Sequence, residues 1–346
     1  MNLGLKDKVV LCMASAAGLG KGIAMEAARE GAKVMICTSE AFKDQLYAAQ
    51  EEIAKETGNR PEAYFCDVNS PEDIEKLVSH TVETLGDIWA LVNMCPGPQP
   101  GPFDSFDDSQ WEKAFEMCLL SYVRTIRACL PSMRRLGGGR IVNSTSSSVK
   151  DCLDNLILSN TMRMGVVGMS KTLASELGKD NILINVIGPG RIGTARITSL
   201  NAMRAEKAGI TVEEYEKEDL KSFPLGRYGT TEEYGRLAVF LCSEANTYIS
   251  GQTILLDGGM TASFPFLTGE TMDERLARQI ADGEIPAEAL QKAIDEVLYA
   301  ELSHTVTFEV TPAFSEVFGE IPPLSDHAYT ASNIDALFEN MMVCGG

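Results

Sequence analysis

The chain has 346 residues, 45% of them apolar and 23% charged, which is enough for a large buried core. A net charge of −19 argues against nucleic acid and anionic membrane surfaces as partners. The nine cysteines show no CxxC spacing, so neither a disulfide framework nor a metal site is expected, and a reducing compartment, the cytoplasm, is.

The first predicted element is a strand from Val9, a β-branched apolar run feeding a small-residue turn and then a helix carrying Ile23, Ala24, Ala27 and Ala28. Small residues let the backbone approach an anion, and the free amides and positive dipole end of the helix stabilise a pyrophosphate. The expected dinucleotide contacts are Ala14, Ser15, Ala16, Gly18, Leu19 and Gly20. Ala14 stands where a GxxxGxG loop would open with glycine.

Strands and helices then alternate. Strands are expected at 33–37, 62–66, 88–93, 140–143, 181–187 and 252–256. Helices are expected at 41–57, 71–85 with Pro71 in the first turn, 110–136 with a break at Pro131, and 156–177. The pattern predicts an α/β fold, a doubly wound parallel sheet of seven strands, with ligands at the carboxyl ends of the strands. No apolar run reaches the roughly 20 residues of a membrane span, and no secretory leader is read from the polar first residues.

Seven pieces of the chain carry a resemblance: the opening turn, Asp67 in CDV, LVN ending at Asn93, the serine run at 141–148, NVIGPGRIGT at 185–194, PLGRYG at 224–229 and SGQTILLDGG at 250–259. Residues 5–263 resemble the short-chain dehydrogenase/reductase family, in its branch related to 3-oxoacyl carrier-protein reductases. The resemblance implies a Rossmann-type domain over 1–263, a nicotinamide dinucleotide, and a homo-oligomer, dimer or tetramer, built on the long helices at 110–136 and 156–177. It also places Asp67 and Val68 at the adenine, Asn93 near the ribose, and Pro189, Ile192 and Thr194 near the nicotinamide.

The family's catalytic group is an asparagine, a serine, and a tyrosine followed four residues later by a lysine, in which the ammonium lowers the phenol's pKa. Here the matching positions read Cys118, Ser146, Ser159 and Arg163, and NNAG is replaced from Asn93 by Met94, Cys95 and Pro96. The resemblance is therefore to a divergent branch with a degenerate dinucleotide motif and tetrad. Ser159 and Arg163 share a helix face. Arginine stays protonated and offers a fork of donors, so Arg163 reads as a cofactor or substrate ligand, or else as a surface arginine. Ser146 is expected to donate to the substrate oxygen, the alternative being a turn of serines bonded to its own backbone. Lys150 is a candidate replacement for the missing ammonium.

Thr38 and Ser39 end the second strand without a carboxylate, and Lys43 follows within a turn, so NADP is preferred over NAD. Residues 195–223 are expected to form a helical lid, with Met94, Cys95 and Cys118 as a soft apolar wall. Residues 264–346 hold 15 acidic and 3 basic residues. They read as a mostly helical extension packing on the body or a neighbouring subunit, or else as a disordered acidic arm, with His304, His327 and Tyr329 within possible reach of the site. The expected activity is an NAD(P)(H)-dependent oxidoreductase acting on a hydrophobic ketone or secondary alcohol. A non-redox isomerase, dehydratase or lyase, or a nucleotide-binding protein without catalysis, are the alternatives.

Overall fold

A computed structural model of the chain describes residues 2–261. The strands are β1 (Val9–Cys12), β2 (Lys33–Thr38), β3 (Glu62–Phe65), β4 (Ile88–Asn93), β5 (Gly139–Ser144), β6 (Ile182–Pro189) and β7 (Thr253–Leu256). The helices are α1 (Gly18–Arg29), α2 (Lys43–Thr57), α3 (Pro71–Leu85), α4 (Asp108–Phe115), α5 (Ser121–Arg135), α6 (Ile157–Leu177), α7 (Ala195–Ala208), α8 (Val212–Asp219) and α9 (Thr231–Cys242). All seven strands form one parallel sheet in the order β3-β2-β1-β4-β5-β6-β7. The order reverses between β1 and β4, and that switch is where an open α/β sheet leaves a crevice for ligands.

Alternating strand residues feed two cores, as expected when helices cover both faces of a parallel sheet. Val10, Cys12, Val34 and Ile36 join Ile23, Leu46, Ile53 and Tyr234 from α1, α2 and α9 on one face. Leu11, Met13, Met35 and Cys37 join Ile74, Leu77, Ile126 and Met133 from α3 and α5 on the other. Gly22 and Gly235 allow α1 and α9 to touch backbone to backbone: a Cβ on Gly235 would lie 2.7 Å from the Gly22 carbonyl oxygen. Helix α3 starts as its sequence suggests, with Pro71 in the first turn and the Ser70 hydroxyl accepting from the Asp73 amide at 3.2 Å.

The expected break at Pro131 is corrected. Pro131 lies inside α5, which runs on through it. A proline inside a helix costs about 3 kcal/mol, and burial of its neighbours Cys129 and Met133 offsets that cost. Ser132 adds to this by donating to Asp87 at 2.8 Å and accepting from the Ile88 amide at 3.0 Å. The interruption instead falls at Glu116–Leu120, a single wide turn that points Cys118 inward. Such turns concentrate at functional sites. Gly165 of α6 makes room for it, since a Cβ there would meet Leu119 at 2.8 Å.

Among the described residues no helix is long and apolar enough to cross a membrane. The readings made for 264–346, including its helices, its docking and His304, His327 and Tyr329, lie outside the described residues.

Candidate active site

The carboxyl ends of β1, β2, β4, β5 and β6 open onto a cleft of about 490 Å³. One wall is the turn between β1 and α1. Ala14 has φ +47° and Gly18 φ +55°, so the chain doubles back twice in the left-handed region before entering the helix. Gly20 packs under that turn, where a Cβ would lie 2.5 Å from the Ala14 carbonyl oxygen. The helix begins after Ala17, whose side chain cannot accept from the first-turn amides, so those amides stay available to a ligand. Ser15 contributes differently from its expected role. Its buried hydroxyl donates to the Cys12 carbonyl at 2.7 Å and accepts from the Cys37 amide at 3.0 Å, tying the turn to β2.

The opposite wall comes from β5 and α6. Ser144 ends β5, and its carbonyl accepts from the Tyr122 hydroxyl at 2.6 Å and from Arg163 Nη1 at 3.4 Å. Its own hydroxyl pairs with Tyr234 at 2.8 Å. Ser146 lines the cleft, and its oxygen accepts from the Ser148 amide at 3.1 Å, which leaves its hydroxyl proton free to donate. The hydrogen bond to its own loop, the alternative expected of this serine, is thus present, and it does not use the hydroxyl proton. Ser159 and Arg163 line the cleft one turn apart, and Arg163 Nε donates to Ser159 at 3.1 Å.

Met94, Cys95, Pro96 and Gly97, after β4, form the floor. Cys95 lies in one buried cluster with Cys118, Tyr122, Leu158 and Met162. The neighbouring Cys118 thiol and the facing Arg163 cation favour its ionised form. Together these overcome burial and hold the Cys95 thiol down to about 6 from an ordinary 9.0. Cys118 and Tyr122 respond oppositely. The neighbouring Cys95 sulfur and burial push the Cys118 thiol far up, and burial with the same sulfur does likewise to the phenol. Burial pulls the Arg163 guanidinium down, but Cys95, Tyr122 and Cys118 pull it up further, and it stays a cation.

Several expected residues sit elsewhere. Lys150 is exposed and not among the cleft residues. Asp67 is exposed and accepts from the Asn69 amide and side chain at 2.9 Å, while Val68 is buried in the α3–α5 core. The Asn93 amide joins two strands, donating to Asn143 at 2.9 Å and accepting from Thr125. Ser39 lies just outside the cleft, whereas Ala16, Leu19, Thr38, Pro189, Ile192 and Thr194 line it. Arg196 was not foreseen. It lines the cleft from the start of α7 and rests on Gly97, where a Cβ would come 2.8 Å from its guanidinium nitrogens. The Pro-Gly-Pro run at 96–98 was the sequence signal for that close approach. Among the described residues, no acidic side chain lines the cleft.

A strained small-residue turn beside a switch point, with a hydroxyl cluster opposite, is the arrangement of a Rossmann-type α/β protein. Residues 13–261 match the family described as Enoyl-(Acyl carrier protein) reductase, and the chain belongs to the short-chain dehydrogenase/reductase family of oxidoreductases. It is 29% identical over 258 residues to a 7alpha-hydroxysteroid dehydrogenase of Escherichia coli, covering 75% of this chain and 96% of that protein. It is 30% identical over 262 residues to a 3-oxoacyl-(acyl-carrier-protein) reductase of Aquifex aeolicus, covering 75% and 100%. The crystal structure of an L-sorbose reductase from Gluconobacter frateurii, complexed with NADPH and L-sorbose, superposes with a TM-score of 0.72 at 29% identity. It covers 76% of this chain and 100% of that one.

Proposed function

We propose that this protein is a nicotinamide-dinucleotide-dependent oxidoreductase acting on a hydrophobic ketone or secondary alcohol. The observation that carries the reading is the cleft at the β1/β4 switch. Its β1–α1 wall offers uncapped helix amides across a left-handed turn, and its far wall offers donors to a substrate oxygen. The chain's own residues fit the cofactor: Ala14, Ala16, Gly18 and Leu19 leave the backbone open to a pyrophosphate, and Thr38 stands where the ribose would lie. Absence of a carboxylate at Thr38 supports NADP over NAD, and a relative in the same fold is complexed with NADPH.

Bound in the cleft, a nicotinamide dinucleotide supplies a hydride donor or acceptor. Ser146 has a free hydroxyl proton and polarises the substrate oxygen. Arg163, pinned by Ser159, places a permanent positive charge beside that oxygen or holds a ribose hydroxyl. Met94, Cys95, Leu156, Ile192 and Ile197 supply the apolar lining that favours a hydrophobic carbonyl over a sugar phosphate. We also place the subunit contacts of a homo-oligomer on α4, α5 and α6, where Phe115 and Met164 stay exposed.

The test is titration of the full chain with NADPH and NADH by reduced-nicotinamide fluorescence, followed by a screen of hydrophobic ketones for loss of reduced nicotinamide. Tighter binding of NADPH and turnover of at least one ketone are expected. Binding of neither nucleotide would overturn the reading.

A further inference from the structure

Arg163 is 7% exposed, and none of the ion pairs among the described residues includes it. The fold also holds a second buried arginine for comparison. Arg140 donates to the carbonyls of Gly139, Asn181, Ser243 and Asn246, a cage that stands in for a counter-ion. Arg163 has one carbonyl at 3.4 Å and one hydroxyl at 3.1 Å. A buried cation with so little around it requires an anion. The titratable groups facing it are the thiols of Cys95 and Cys118 and the phenols of Tyr122 and Tyr234, brought from the loop after β4, the wide turn, α5 and α9.

Of these four, only Cys95 lines the cleft, at 8% exposure, and Tyr234 is paired with the Ser144 hydroxyl. Cys118 is fully buried and donates to the Pro96 carbonyl at 3.8 Å, and Tyr122 is committed to the Ser144 carbonyl. We propose that Cys95 is the acid–base residue of the cleft, its sulfur exchanging the proton of a substrate hydroxyl while the Arg163 guanidinium holds the sulfur's negative charge. This rests on the redox reading above and supplies the proton carrier that the serine at position 159 cannot. The pairing keeps the logic of a cation tuning an acid but moves the acid from α6 to the loop after β4.

In the oxidising direction the substrate O–H bond breaks and an S–H bond forms on Cys95. The O–H electron pair becomes the second bond of the carbonyl, and the hydride on the carbinol carbon leaves to the oxidised nicotinamide that is the co-substrate. In the reducing direction the Cys95 S–H bond breaks and the proton goes to the substrate oxygen. A sulfur ionised at neutral pH is already the base, so oxidation rises as pH increases through about 6. Reduction, which needs the thiol, falls over the same range.

The experiment is a pH titration of thiolate ultraviolet absorbance in the full chain, compared with Cys95→Ser, Arg163→Gln and the control Cys152→Ser. Wild type should show a thiolate appearing at about pH 6. It should be absent in Cys95→Ser and unchanged in Cys152→Ser. In Arg163→Gln its midpoint should move up by about one to three pH units. With NADPH affinity retained, Cys95→Ser should lose about a hundred- to ten-thousand-fold in kcat. A wild-type midpoint near the ordinary value, a midpoint indifferent to Arg163→Gln, or full turnover in Cys95→Ser would each overturn the assignment. Binding of NADPH with a silent Cys95 would overturn this assignment alone, whereas failure to bind any dinucleotide would overturn the redox reading and this role with it.

Discussion

Ala14 holds φ +47°, a conformation that costs an L-residue about 1–2 kcal/mol and costs glycine almost nothing. The strain persists because both of its ends are pinned: the Met13 amide donates to the Val92 carbonyl at 3.0 Å and the Ser15 amide to the Cys37 carbonyl at 2.8 Å. Replacing Ala14 by glycine should therefore stabilise the fold, less the entropy glycine adds to the unfolded chain. The net gain should be about 0.5–1 kcal/mol, raising the thermal unfolding midpoint by about 1–3 °C. A lower midpoint would show that the alanine methyl packs favourably enough to outweigh its backbone. Ser146 is a second case in which one residue serves two ends. Its oxygen accepts from its own loop while its proton remains free, so ordering the loop does not compete with the donor role proposed for it.

At the scale of elements, the turn between β1 and α1 was legible because its chemistry is local. Small residues at 14–20 report a close backbone approach whatever surrounds them. Gly20→Ala puts a Cβ 2.5 Å from the Ala14 oxygen and 2.8 Å from the Ser15 Cα, both backbone atoms that cannot swing aside. It should cost about 1–3 kcal/mol and weaken NADPH binding by about tenfold or more, read by nucleotide titration and thermal unfolding side by side. Unchanged affinity would mean that the turn is not the pyrophosphate cradle. The seven strands were legible for a related reason, since an apolar β-branched run is a property of each strand alone, whereas their order in the sheet is not. The break in the helical stretch was misplaced because proline propensity is local, while the packing of Cys129, Ser132 and Met133 that overrides it is not. Cys95 and Cys118 were expected as an apolar wall and Arg163 as a ligand, but the facing of sulfur and cation was missed for the same reason. A cysteine in an apolar stretch reads as core filling, and only the folded chain sets it against a cation from a helix far along the sequence.

At the scale of the molecule, the chain carries −19 while its cleft, among the described residues, is lined by Arg163 and Arg196 and by no carboxylate. Both the chain and a phosphorylated dinucleotide are anions, so their first encounter is repulsive at long range and attractive only within the last few ångströms. Added salt shortens the Debye length from about 30 Å at 0.01 M to about 8 Å at 0.15 M, which hides the distant charge more than it hides two guanidinium groups at contact. The rate of NADPH capture, followed by stopped-flow fluorescence, should accordingly rise as salt is added across that range, and a falling rate would show that the local cations dominate the approach. The bare, acid-free cleft thus sets a speed as well as a specificity. An acidic molecule that binds an acidic ligand captures it more slowly in dilute buffer than in saline.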